Sequence, residues 1–183
     1  MMDEDRFWGL IEESRTGIDP GEVEHGDAFQ DRQAERLCGR LRQLSPEEVA
    51  GFAMRFSELE GRAYAWPLWG AAYWLHGGCG DDGFMDFRAN LISLGREWYS
   101  RALEDPDFLA ELVDRADVPY MQGEGFQYHA GRVYQELTGH ELPVEGFPEG
   151  PAEPSGVGWD FESAKEARRR FPRLYARYPE MGD

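Results

Sequence analysis

The segment Ala63–Leu75 holds Trp66, Trp69 and Trp74, half of the six tryptophans in the chain, together with Tyr64 and Tyr73. A glycine-rich acidic turn follows, His76-Gly-Gly-Cys-Gly-Asp-Asp-Gly83, and a second amphipathic segment starts at Phe84. So much aromatic surface cannot be left in water, since each ring buries on the order of 150–250 Å² when packed. The chain must therefore fold around this segment. An aromatic helix, a tight turn with paired carboxylates and a second helix form either the centre of a core or the wall of a site.

The rest of the pattern is helical. Phe7, Leu10 and Ile11 lie a turn apart behind Asp3 or Asp5, and Phe29, Leu37, Leu41 and Leu44 mark one face of a second helix. Ser45-Pro-Glu-Glu48 is a strong start: a capping serine, a proline at the first helical position and a glutamate placed for a capping box. Val49, Phe52, Phe56 and Leu59 follow at helical spacing. Trp66-Pro67 interrupts the run, and the next helix closes near His76, with Gly77 or Gly78 turning the chain. Asp82 is placed to cap a long helix containing Phe84, Phe87, Leu91, Ile92, Trp98 and Leu103. Asp105-Pro106 opens another, with Phe108, Leu109, Leu112 and Val113 facing inward, and Phe126–Leu137 one more, ended by Gly139.

Thr16–Asp27 reads as a loop, and no stretch alternates as a strand does. The expected fold is all-α, a single compact bundle of about six or seven helices. Residues 1–142 form the helical domain. Residues 143–158, rich in Pro, Gly and Glu, form a linker or strap, and the aromatic, arginine-rich residues 159–183 pack back on the domain.

A chain of 183 residues, 41% hydrophobic and 14% aromatic, is large enough for a substantial core. Its longest apolar run, Ala63–Leu75, is too short for the roughly 20 residues a bilayer requires, so no membrane association is expected. The start, Met-Met-Asp-Glu-Asp-Arg, is acidic where a secretory signal is basic, and the expected compartment is the cytoplasm. Cys38 and Cys79 are accordingly read as free thiols. Lys165 is the only lysine, a bias typical of a high-GC genome. A net charge of −17 disfavours direct nucleic-acid binding, which starts with neutralised phosphates. It leaves open an acidic nucleic-acid mimic, although the acids are spread widely along the chain rather than along one face.

Several blocks resemble one family: Phe7-Trp8-Gly-Leu-Ile-Glu12, Leu68-Trp69-Gly-Ala-Ala72 and Gly78-Cys-Gly-Asp-Asp-Gly-Phe-Met-Asp-Phe-Arg88. Gly95-Arg-Glu-Trp-Tyr99 and Ala102-Leu-Glu-Asp-Pro-Asp107 extend the likeness, which runs from Asp3 to Leu142. The family is the bacterial, chiefly actinobacterial, domain of unknown function numbered 4240. The resemblance implies a small, mostly helical cytoplasmic protein and brings no activity or site residue with it.

The residues with chemical potential gather around the turn. Trp69 and Tyr73 share a face that serves as core or as an aromatic slot, with Trp66 beside them. His76, Asp81, Asp82 and Arg88 extend it into a candidate ligand cleft. The plainer reading makes Asp81 and Asp82 helix-start residues, pairs Asp86 with Arg88 or Arg96, and uses aspartates to accept the indole N–H groups. A divalent-metal-dependent hydrolase or transferase would use Asp81, Asp82 and Asp86 as ligands and His76 as acid or base. The turn lacks the Gly-Lys-Ser/Thr ending of a phosphate loop, and no zinc motif, nucleophile–base pair or cofactor fingerprint is present. No cofactor is therefore expected, and catalytic residues are not identifiable. His129 reads as a structural histidine, and Arg168, Arg169, Arg170, Arg173 and Arg177 as partners for the chain's own acids. The expected function is a non-catalytic binding or interaction module for a small polar ligand or a protein partner. The sequence sets no oligomeric state.

Overall fold

A computed structural model describes residues 1–18, 26–112 and 125–178. Most of the expected Thr16–Asp27 loop, Val113 and the last residues of the tail lie outside them. Helices α1 (Glu4–Arg15), α2 (Gly26–Leu41), α3 (Pro46–Arg62), α4 (Trp66–His76), α5 (Asp81–Ser93) and α6 (Arg96–Glu104) come first. Short 3-10 helices at Pro106–Glu111 and Phe126–Tyr128 lead to α7 (His129–Thr138), α8 (Ala164–Arg170) and α9 (Pro172–Arg177). The fold is all-α. Among the described residues there are nine α-helices rather than six or seven, and no strand beyond a single parallel bridge between Ala65 and Ser155. None of these helices is long and apolar enough to cross a membrane.

The caps explain most boundaries. The Asp3 carboxylate accepts from the amides of Asp5 and Arg6, and the Ser45–Glu48 pair forms a complete capping box before α3. Gly77, left-handed at φ 70°, closes α4. The expected long helix after the turn is two. Gly95 sits at φ 100°, a conformation side chains rarely adopt, and it separates α5 from α6. The expected Asp82 cap is also corrected: Gly80 occupies the N-cap, and Asp81 and Asp82 lie in the first turn without a capping bond. There their charges still favour the positive end of the helix dipole.

The core forms where α1 and α3 meet. Phe7 stacks on Phe52 with ring centres 4.6 Å apart, and Ile11, Phe56 and Leu59 are buried beside them. Helix α5 runs through the middle and buries Phe84, Phe87, Leu91 and Ile92 completely. The Tyr99 hydroxyl donates to the Leu59 carbonyl at 2.8 Å and ties α6 to α3.

Helix α4 buries residues on more than one face, Leu68, Trp69, Ala71, Ala72 and Trp74 among them. It can do so because the C-terminal region covers its outer side. The Ser155 amide donates to the Tyr64 carbonyl, and the Trp66 amide donates to the Ser155 carbonyl, both at 2.9 Å. Trp159 lies directly over Gly70, where a Cβ atom would come within 2.6 Å of the indole. The Trp74 indole donates to the Phe161 carbonyl at 2.9 Å. Farther on, the buried Asp107 carboxylate accepts from the amides of Arg173 and Leu174 and caps α9 from another element.

Candidate functional site

The aromatic stripe of α4 is filled rather than open. Trp69 lies between Trp66, 5.3 Å away at 9°, and Phe84, 4.8 Å away at 12°, so both indole faces are occupied. Phe161 approaches Trp66, Trp69 and Tyr73 from the C-terminal side. The Trp69 N–H donates to the Cys79 carbonyl at 2.8 Å. Backbone carbonyls therefore satisfy Trp69 and Trp74, where aspartates were expected.

The acidic turn divides. Asp81 and Asp82 are exposed, whereas Asp86 is buried and accepts a hydrogen bond from Gln127 Nε2 at 3.1 Å. Neither arginine expected for Asp86 reaches it. Arg96 pairs with Asp5 at 2.6 Å, and Arg88 turns to backbone carbonyls. Among the described residues no three His, Cys, Asp or Glu side chains gather as a metal site needs. His76 packs edge-on to Phe87, and burial pushes its imidazole down to about 4. Burial likewise pushes the Cys79 thiol up to about 11, which keeps it protonated and unreactive. Of the six residues expected to line one cleft, Trp69 and Arg88 meet the same Tyr64–Phe84 ring cluster. Tyr73 faces Phe161, and Asp81 and Asp82 stand at the helix start.

Arg88 leads to a concavity that residue spacing alone does not reveal. Ser57, Glu60, Gly61 and Tyr64 form one side, Met85 and Arg88 on α5 the other, and Gly150 and Pro151 close the end. Its volume is about 270 Å³. Arg88 is held by its neighbours: Nη1 donates to the Glu60 carbonyl at 2.9 Å and Nε to the Phe84 carbonyl at 3.3 Å. The guanidinium also lies 4.8 Å from the centre of the Tyr64 ring. Burial lowers the pKa of this guanidinium.

Glu60 occupies the same cleft. Its Oε1 atom is buried and has no hydrogen-bond partner among the described residues. Burial pushes the carboxyl up to about 7; Arg88 opposes that rise and Asp86 adds to it. One signal for Glu60 was present: it follows Phe56 by four residues and so continues the buried face of α3. A second concavity, of about 290 Å³ near Met1 and Gly51, contains polar groups already committed to each other: Arg6 pairs with Glu48, and Asp3 caps α1.

A buried polar layer joins α1, α2 and α5. Asn90 donates to the Asp86 carbonyl at 2.9 Å and accepts from Gln30. Gln33 donates to the Ser93 carbonyl at 2.8 Å, and Arg15 donates to Gln33. Such a layer fixes the register of α1, α2 and α5, because an unmet buried partner costs more than an apolar contact returns. His129 is half-buried, edge-on to Phe126, with its pKa lowered by burial and by Arg132. Of the C-terminal arginines, Arg169 and Arg170 pair with Glu166, and Arg173 with Asp105, Asp107 and Glu111.

Comparison with curated proteins and with solved structures gives no match. The family comparison does. Residues 2–136, which contain α1 to α6, most of α7 and both charged residues of the cleft, match one family over well more than half of the chain, and the protein belongs to the family described as protein of unknown function DUF4240.

Proposed function

We propose that the chain is a non-catalytic binding module whose ligand is a small polar molecule, held between α3, α5 and the Gly150-Pro151 segment. One observation carries the reading. A buried carboxyl oxygen without a hydrogen-bond partner among the described residues belongs to Glu60, which lines a cleft that also contains a fixed guanidinium. Buried polar atoms are satisfied in the great majority of folded proteins, so such an atom at a cleft marks a place for a ligand donor.

The candidate cleft moves accordingly from the Trp69–Asp82 turn to its neighbour, and Arg88 belongs to both. A metal-dependent enzyme gains no support from the separated Asp81, Asp82 and Asp86. A nucleic-acid mimic gains none from a surface on which acids and arginines interleave, as in Arg62 with Glu4 and Glu58 or Arg42 with Glu136. We place the module in the cytoplasm of an actinobacterium, on the two free thiols and the near absence of lysine.

Amide and methyl NMR of labelled protein tests the site, with a panel of small amines, carboxylates, amides and amino acids as probes. Perturbations should gather at Ser57, Gly61, Tyr64, Met85 and Arg88. Saturable shifts confined to another surface, or none with any probe, would remove the reading.

A further inference from the structure

Glu60 and Arg88 line the same cleft without closing into an ion pair. The reason is local. Two backbone carbonyls and the Tyr64 and Phe84 rings hold the guanidinium in place, so it cannot swing onto the carboxyl. The bonds it makes use Nε and Nη1, which leaves Nη2 without a partner among the described residues. On the other side Glu60 Oε1 is buried and has no hydrogen-bond partner among the described residues.

A lone cation would serve Glu60 and crowd Arg88, and a lone anion would do the reverse. A ligand with one charge of each sign answers both and adds no net charge to a chain already at −17. The volume of about 270 Å³ holds about nine waters at ~30 Å³ each, which matches a ligand of on the order of ten non-hydrogen atoms. Tyr64, Met85 and Pro151 offer apolar contact to a short stem between the charges.

We infer that the cleft takes a small zwitterion of the amino-acid type, its ammonium on the Glu60 carboxylate and its carboxylate on Arg88. This rests on the preceding reading of the cleft as the binding site. An ammonium ion favours the charged form of Glu60, so affinity rises as pH rises toward neutrality. Arg88 and the buried Asp86 are the charged groups that set this balance.

Calorimetric titration with glycine, β-alanine, γ-aminobutyrate, ε-aminocaproate and L-norvaline tests the inference, with n-butylamine and butyrate as singly charged controls. At least one zwitterion should bind roughly tenfold or more tighter than either control, as a charge-assisted hydrogen bond at each end requires. Glu60→Gln and Arg88→Gln, checked for folding by amide spectra, should each cost about the same factor. If Arg88→Gln does not fold, Glu60→Gln and the two controls decide. Binding of butylamine or butyrate as tight as that of the best zwitterion overturns the inference, and so does a zwitterion indifferent to Glu60→Gln. In those cases shifts at Ser57, Tyr64 and Met85 would still leave the cleft as the site. Absence of any shift there, with any probe, removes both readings together.

Discussion

Replacing Glu60 with glutamine tests the electrostatics of the cleft without any ligand. The carboxyl has an ordinary value of 4.5 when unfolded and is pushed up to about 7 in the folded chain. A folded state that holds its proton more tightly has that advantage in full below about 4.5 and loses it progressively as pH rises through about 7. The two values lie about 2.5 pH units apart, which at ~1.4 kcal/mol each makes ionised Glu60 cost about 3 kcal/mol above neutral pH. Glutamine keeps the shape and never ionises. The variant should match wild type near pH 4, apart from a constant offset, and become more stable by up to about 3 kcal/mol at about pH 9. Urea denaturation followed by tryptophan fluorescence measures both proteins across the range. Glu4, Glu48, Glu136 and Glu166, whose pKa values are lowered, remove stability as pH falls. So does His76, held neutral by burial. These groups are common to both proteins and cancel in the difference. A difference independent of pH would show that Glu60 ionises at its ordinary value, and the argument that it is a buried, unsatisfied carboxyl would fall.

Two further substitutions probe how the C-terminal region is held. Gly70→Ala gains about 1 kcal/mol of helix propensity and loses about 1–3 kcal/mol by driving a Cβ into Trp159, so it should destabilise the protein overall. In a Trp159→Ala background the same change should become stabilising, and a urea-denaturation cycle returning the same sign in both backgrounds would refute the contact. Asp107→Asn weakens an ionised acceptor for the Arg173 and Leu174 amides and the Arg173 side chain and should cost about 2 kcal/mol. Protease cleavage should then rise within α8 and α9 before the rest of the chain unfolds.

The helices were readable because their signals are local. Ser45 and Glu48 cap α3 within four residues, Gly77 ends α4, and the spacing of Phe7 and Ile11 or of Phe52 and Phe56 marks buried faces directly. The misplaced features show what local pattern cannot resolve. Leu91 and Trp98 keep helical spacing across Gly95, so one hydrophobic period hides two helices. Two adjacent aspartates are equally suited to a cap or to a first turn, and the chain took the second arrangement. The indole acceptors are carbonyls of Cys79 and Phe161, the latter 87 residues from its tryptophan, and no pattern reading assigns a carbonyl that distant.

The cleft was missed for a related reason. Within Glu58-Leu-Glu-Gly-Arg62 a glutamate reads as part of a solvated face, and Glu58 does pair with Arg55 and Arg62. Glu60 differs only because α5 and the C-terminal strap lie against its side of α3. Its relation to Arg88, 28 residues away, exists only in the folded chain. The two charges and the Tyr64 ring lie within the matched residues 2–136, whereas Gly150 and Pro151, which close the cleft, lie beyond them. The charged groups thus come from the family portion of the chain, and the end wall comes from the strap. The strap is held in place by the Ser155 bonds to Tyr64 and Trp66, at the residue that lines the cleft and the start of the aromatic helix beside it. A different strap would keep the acid and the guanidinium and change the room between them, so in the proposed binding module ligand size is set there and ligand charge is set by α3 and α5.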